Sequence, residues 1–177
     1  MKASKKRIFI ILGLVVILLA AIIFAVLQFL NQRPQLTLQP DFQGIVTEEQ
    51  AQELYDYIES CRKEATAIAD GKQNIFSETI QDTVPSFFAQ LNNTPISQMS
   101  ELELDAMIRF SYYQIAMCVS DKDGTPYKDC FGSQFLKKVS EEYGVTDING
   151  VSLTNPKLYA LDSEQIDIFE VYFFVKE

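Results

Sequence analysis

Between Arg7 and Arg33 the chain carries no charge, and from Ile8 to Leu30 it has 23 residues of which 18 are Ile, Leu, Val or Phe. As a helix rising about 1.5 Å per residue, such a run covers a hydrocarbon core about 30 Å thick with some tilt. At roughly −0.3 to −0.6 kcal/mol for each large apolar residue, insertion is favourable by about 5 to 10 kcal/mol. A cleaved signal peptide has an apolar core of about 7 to 15 residues followed by a small-residue site. Here Ala20, Ala21 and Ala25 lie inside the run, and bulky Leu27, Phe29 and Leu30 come after them. The segment 8–30 is therefore expected to stay on the chain as a signal-anchor, a single transmembrane helix in contact with the lipid bilayer.

The flanks orient it. Lys2, Lys5, Lys6 and Arg7 lie in the tail 1–7, while only Arg33 follows closely on the other side. Positive residues stay inside, so the expectation is a single-pass membrane protein with a cytoplasmic N-terminus and a periplasmic or extracellular C-terminal domain. An ion pathway needs an ionisable group within the membrane, and Gln28 is the only strongly polar side chain in the run. Gly13, Ala20 and Ala21 permit pairing with another membrane helix without demanding it.

From Arg33 onward eleven Lys and Arg face 24 Asp and Glu, a formal charge of −13. Such a domain is a poor match for nucleic acid; its acidic residues read first as a solvated surface, with a face made for a basic partner as the sharper alternative. Residues 31–46, with Pro34, Pro40, Gly44 and four glutamines, read as a linker, since each proline disfavours helix in the residue before it. That break, and the lack of a glutamate near the start of the apolar run, argue against a pilin-like continuous helix.

The segment 47–177 is expected to be one domain, outside the cytoplasm, of about four helices followed by C-terminal antiparallel strands, an α+β fold. Thr47 and Gln50 have the spacing of a capping box, and Ala51, Leu54, Ile58, Cys61, Ala65 and Ile68 follow at intervals of 3 and 4, up to a stop at Gly71. A second helical stretch, 77–93, is broken or kinked by Pro85. A third starts at Ser100, with Glu103 completing another capping box, and is apolar around most of its circumference. This is the expected central helix, with Met107, Ile108, Phe110, Tyr112, Tyr113, Ile115 and Met117 in the core. The fourth runs from Ser133 as N-cap to Gly144. Beyond it, Asn149-Gly150 sits between short β-rich runs, and the stretch 157–177 reads as two strands around Asp162 to Gln165. The last of these, Ile166 to Val175, is aromatic and β-branched on both faces, with a short buried helix as the alternative.

Three cysteines occur, at 61, 118 and 130. In an oxidising compartment a Cys118–Cys130 disulfide is expected, closing the loop between the third and fourth helices and stabilising by about 3 kcal/mol; Cys61 with Cys118 is the rival pairing. Asp121, Asp123, Gly124 and Asp129 resemble part of a calcium loop, but Val119 and Cys130 stand where ligands are needed, so a solvated turn is the expectation and no metal is assigned. Asn92-Asn93-Thr94 meets the glycosylation pattern, with Pro95 directly after it.

The chain has no histidine, which excludes Ser-His-Asp and Cys-His catalysis and His-ligated zinc. With seven glycines and no run of them, a phosphate-cradling loop is missing too. No cofactor and no catalytic residue is assigned. The expectation is a non-catalytic accessory or assembly subunit that docks on a larger membrane complex through a protein–protein interaction. The alternative is an anchored binding or sensor module that captures a small ligand or peptide among its Phe and Tyr residues.

Overall fold

A computed structural model describes residues 36–118, 129–148, 151–154 and 161–176, together with Leu19, Ala21 and Ile22. The chain divides into two compact units, Met1–Gln35 and Leu36–Glu177. Leu19, Ala21 and Ile22 are helical and exposed, and the rest of 8–30 lies outside the described residues.

Among the described residues no helix is long and apolar enough to cross a membrane. That finding stands against the single-pass, signal-anchored membrane protein and the extracytoplasmic localisation expected from the sequence. The longest described helix, α1 (Glu48–Ala69), has the length of a span but not its chemistry. It is amphipathic, with Glu48, Glu49, Glu53, Asp56, Glu59, Arg62, Lys63 and Glu64 along it.

The second unit is mostly helical. α1 begins where Thr47 and Gln50 exchange hydrogen bonds at 3.0 and 3.2 Å. It buries Ala51, Leu54, Tyr57, Ile58, Cys61 and Ala65, and Gly71 leaves it with φ +69°. α2 (Glu78–Asp82) and α3 (Ser86–Asn92) are the two halves of the second stretch, separated at Thr83 to Pro85 because Pro85 cannot continue a helix. α4 (Glu101–Met117) starts at the Ser100–Glu103 capping box and buries Met107, Phe110, Tyr113, Ile115 and Met117, while Ile108 and Tyr112 are half-buried. α5 (Phe131–Tyr143) starts earlier than expected. Cys130 is its N-cap and Ser133 the third helical residue, whose hydroxyl accepts the Cys130 N–H at 2.9 Å. Gly144, with φ +64°, ends it.

The expected C-terminal strands are overturned. α6 (Ser163–Phe173) is a helix, opened by a reciprocal Asp162–Gln165 capping box at 2.9 and 3.1 Å. Its Ile166, Phe169 and Phe173 are buried at helical spacing. The β-rich composition of this run yields to tertiary packing, which strand propensity routinely does. The described sheet structure is one two-residue pair, β1 (Asp147–Ile148) against β2 (Val151–Ser152), antiparallel with Ile148 opposite Val151. Asn149 and Gly150 between them, and 155–160, lie outside the described residues.

The core is aromatic. Phe88 of α3 stacks on Phe110 of α4 with centroids 4.0 Å apart and planes within 6°. Tyr113 stacks on Phe169 at 4.2 Å, and Phe42 meets Phe173 at 4.6 Å. Such pairs add about 0.5–1.5 kcal/mol each beyond the area they bury. Phe42 belongs to the segment 36–46 that reads as linker in the sequence. Here that segment lies inside the compact unit, with Phe42 and Val46 buried, a single 3-10 turn over Pro40–Phe42, and a bridge between Leu38 and Phe174. The Gln39 N–H donates to the Phe173 carbonyl and the Val175 N–H to the Thr37 carbonyl, both at 2.8 Å.

Candidate functional site

α6 is held to its neighbours along both flanks. On the α1 side, the Arg62 guanidinium donates to Asp167 at 2.7 Å and also to Glu170 and to Glu59 of its own helix. Arg62 is about a quarter exposed. Burial alone would lower its affinity for a proton, but the three carboxylates outweigh burial and hold it above the ordinary value. On the α4 side, the Tyr172 hydroxyl donates to Asp105 at 2.6 Å, Arg109 reaches the same carboxylate oxygen at 2.7 Å, and its guanidinium lies 4.5 Å from the centre of the Tyr172 ring. Burial and the Asp105 bond raise the Tyr172 hydroxyl well above its usual range. Isolated surface ion pairs contribute about 0–1 kcal/mol, so these contacts chiefly set the orientation of α6.

That orientation presents an apolar stripe. With about 100° between successive residues, Ile166, Phe169 and Phe173 face the core, and Glu164, Ile168 and Val171 fall together on the opposite side. Ile168 is 59% exposed, Val171 39%, and Val175 just past the helix end 41%. Single exposed apolar residues are ordinary, whereas Ile168 and Val171 on one face of α6 between two polar latches are a surface of defined shape.

The second feature is internal. Gln81 and Gln114 are fully buried. The Gln114 amide donates to the Gln81 carbonyl at 3.0 Å, and its oxygen accepts the Gly132 N–H at 2.7 Å; the Gln81 amide donates to the Phe76 carbonyl at 2.7 Å. The Cys118 thiol lies 3.9 Å from the Gln81 side-chain oxygen. Two glutamines thus tie α2, α4 and α5 together through groups that would be costly if left unpaired. Neither glutamine belongs to a motif that the sequence displays. The available signal is Gln114, a polar residue within the nearly all-apolar circumference of α4.

All three cysteines are buried. Cys61 points its thiol at the Met117 sulfur, 3.8 Å away, and burial pushes it up to about 12. Cys118 is the C-cap of α4, and Cys130 is the N-cap of α5. Cys118 and Cys130 thus stand at the two ends of the connection between α4 and α5, and Cys61 lies on α1. Asp121, Asp123 and Gly124 lie outside the described residues, and Asp129 is exposed. No group of three His, Cys, Asp or Glu side chains suited to a metal ion occurs among the described residues. Asn92, at the end of α3, accepts from the Lys138 ammonium at 3.2 Å, and with Thr94, Ile96, Phe135 and Glu142 borders an open recess of about 600 Å³.

Comparison with known proteins finds no family model, no curated protein and no solved structure that matches this chain.

Proposed function

We propose that the unit from Leu36 onward is a non-catalytic docking module, an accessory subunit that binds a larger assembly through the outer face of α6. The observation that carries this reading is the exposed pair Ile168 and Val171 on one face of α6, held outward by the Arg62 latch on one flank and the Asp105–Arg109–Tyr172 latch on the other. A helix presenting an apolar stripe is the usual form of a groove-binding element.

The occupant is a protein with an apolar groove and a basic rim. Glu164 lies on the same side as the stripe, and the chain from Arg33 onward carries a formal charge of −13, so a second copy is repelled while a basic surface is steered in. The alternative, a pocket among the Phe and Tyr residues, has less support, because those rings are stacked on one another.

The test is a photo-crosslinking amino acid placed at Ile168, at Val171 and, as control, at exposed Glu142 in the full chain within its native cells. The reading expects one discrete heterologous adduct from the first two positions, lost on raising ionic strength, and none from the third. Adducts of equal yield from all three positions, or no adduct from α6, would remove it.

A further inference from the structure

α6 carries no stop signal of its own. Its C-cap, Phe174, is extended at φ −120° and ψ 142°, no basic side chain stands in its last turn, and no glycine follows it, whereas α5 ends on the left-handed Gly144. The last carbonyls of a helix lack partners within it and need them from elsewhere. Here a residue far back in the chain provides them. The Gln39 N–H donates to the Phe173 carbonyl at 2.8 Å, and its side-chain amide donates to the carbonyls of Val171 at 3.0 Å and Phe174 at 3.2 Å. We infer, on the docking reading above, that Gln39 is a positioning residue for the docking face: a cap supplied from outside the helix that keeps the final turn of α6 wound and so fixes Val171, the C-terminal member of the exposed pair.

Val171 depends on this cap more than Ile168 does. Helix ends fray from the terminus inward. Val171 stands in the last turn with its own carbonyl held by Gln39, while Ile168 lies nearly a turn earlier, in the stretch clasped by the Arg62 bonds to Asp167 and Glu170. Gln39 is itself kept in place by its neighbours in the chain. The Phe42 ring lies edge-on to Tyr172 at 5.3 Å and against Phe173 at 4.6 Å, and the Val175 N–H returns to the Thr37 carbonyl at 2.8 Å.

The requirement is for a donor. Partial negative charge gathers at a helix C-terminus, so an amide N–H or an ammonium is attracted there and a carboxylate is repelled. Q39E keeps the shape of the side chain and removes the donor, and Q39K changes the shape and keeps one.

The experiment measures residue-resolved amide exchange on the full chain and repeats the crosslinking at Ile168 and at Val171, for the native sequence, Q39E and Q39K. Expected in Q39E is exchange about tenfold faster at Tyr172, Phe173 and Phe174, the loss of hydrogen bonds of ordinary net strength. The yield of the Val171 adduct relative to the Ile168 adduct should fall with it, and Q39K should bring both readings back toward native. Unchanged exchange in Q39E overturns the assignment and leaves the docking reading standing. Faster exchange with an unchanged adduct ratio overturns it as well, since the cap would then not set the face. Two adducts that fall together, or a Q39K that behaves as Q39E does, would make Gln39 a residue of general stability instead. Absence of any adduct from the native sequence removes the docking reading and takes the positioning role with it.

Discussion

A Cβ placed on Gly132 would lie 2.4 Å from the carbonyl oxygen of Ser111, with the Ser111 Cα and carbonyl carbon at 2.8 and 2.9 Å. These are backbone atoms of another helix and cannot turn aside as a side chain does. G132A gains about 1 kcal/mol of helix propensity. Against this stand an overpacking cost of typically about 1–3 kcal/mol and the strained Gly132–Gln114 hydrogen bond. A net loss of about 1–3 kcal/mol is expected in urea denaturation. G144A has open space around it and a left-handed φ of +64°, so it should lose about 1–2 kcal/mol through backbone strain alone. An unchanged midpoint for G132A would mean that α4 and α5 are not in this register.

Glu64 sets part of the acid response. Burial pushes its carboxyl up, but the Ser77 hydroxyl and N–H, both at 2.6 Å, and the Gln73 amide at 3.0 Å together outweigh burial and leave it below the ordinary glutamate value. A group depressed in the folded state contributes stability that is present above its unfolded value of about 4.3 and is lost as pH falls through the folded one. Stability of the native chain should therefore decline between about pH 5 and pH 3, and E64Q should decline less over that window. Parallel acid limbs for the two proteins would show that Glu64 has no such role.

Phe42 ties the segment 36–46 to α6. It is 2% exposed and in contact with Phe173, so F42A should cost about 3–5 kcal/mol. By the same argument a fragment of residues 36–177 should unfold cooperatively on heating, and a fragment of 48–177 should melt at a lower temperature or not fold. Equal melting of the two would return 36–46 to the status of a tether.

The outer face of α6 should be neutral to folding. I168K and V171K replace exposed side chains away from both latches, and surface changes of this kind usually stay within about 0.5 kcal/mol. Thermal melts should be unchanged while the crosslinked adduct at the remaining position disappears. Loss of stability in step with loss of the adduct would make the stripe a packing surface of this chain instead.

Local signals are legible in this sequence and non-local ones are not. Thr47–Gln50 and Ser100–Glu103 lie within one turn of each other, so the starts of α1 and α4 were visible in the residues. Asp162–Gln165 has the same spacing, yet the residues after it are apolar on two sides, and that doubled apolarity pointed to a strand. One side turns out to face the core and the other to be the exposed stripe. Phe42 sits among prolines and glutamines, and only its contact with Phe173, far along the chain, makes its segment part of the fold. The buried Gln81–Gln114 tie depends on how three helices meet, which no local spacing shows.

The pairing of Thr37 and Gln39 with Phe173 and Val175 bears on how the protein is made. The first segment of the unit to leave the ribosome is held in place by nearly the last of that unit, so Phe42 has no partner ring on α6 until the unit has been made. At about 5–20 residues per second, α1 through α5 emerge and can collapse while the docking site for 36–46 is still inside the translating machine. Completion is then a late, long-range event of the kind that slows folding. A stalled or prematurely ended chain lacking the final helix would expose Leu38, Phe42 and Val46 together, which marks it chemically for chaperones and proteases.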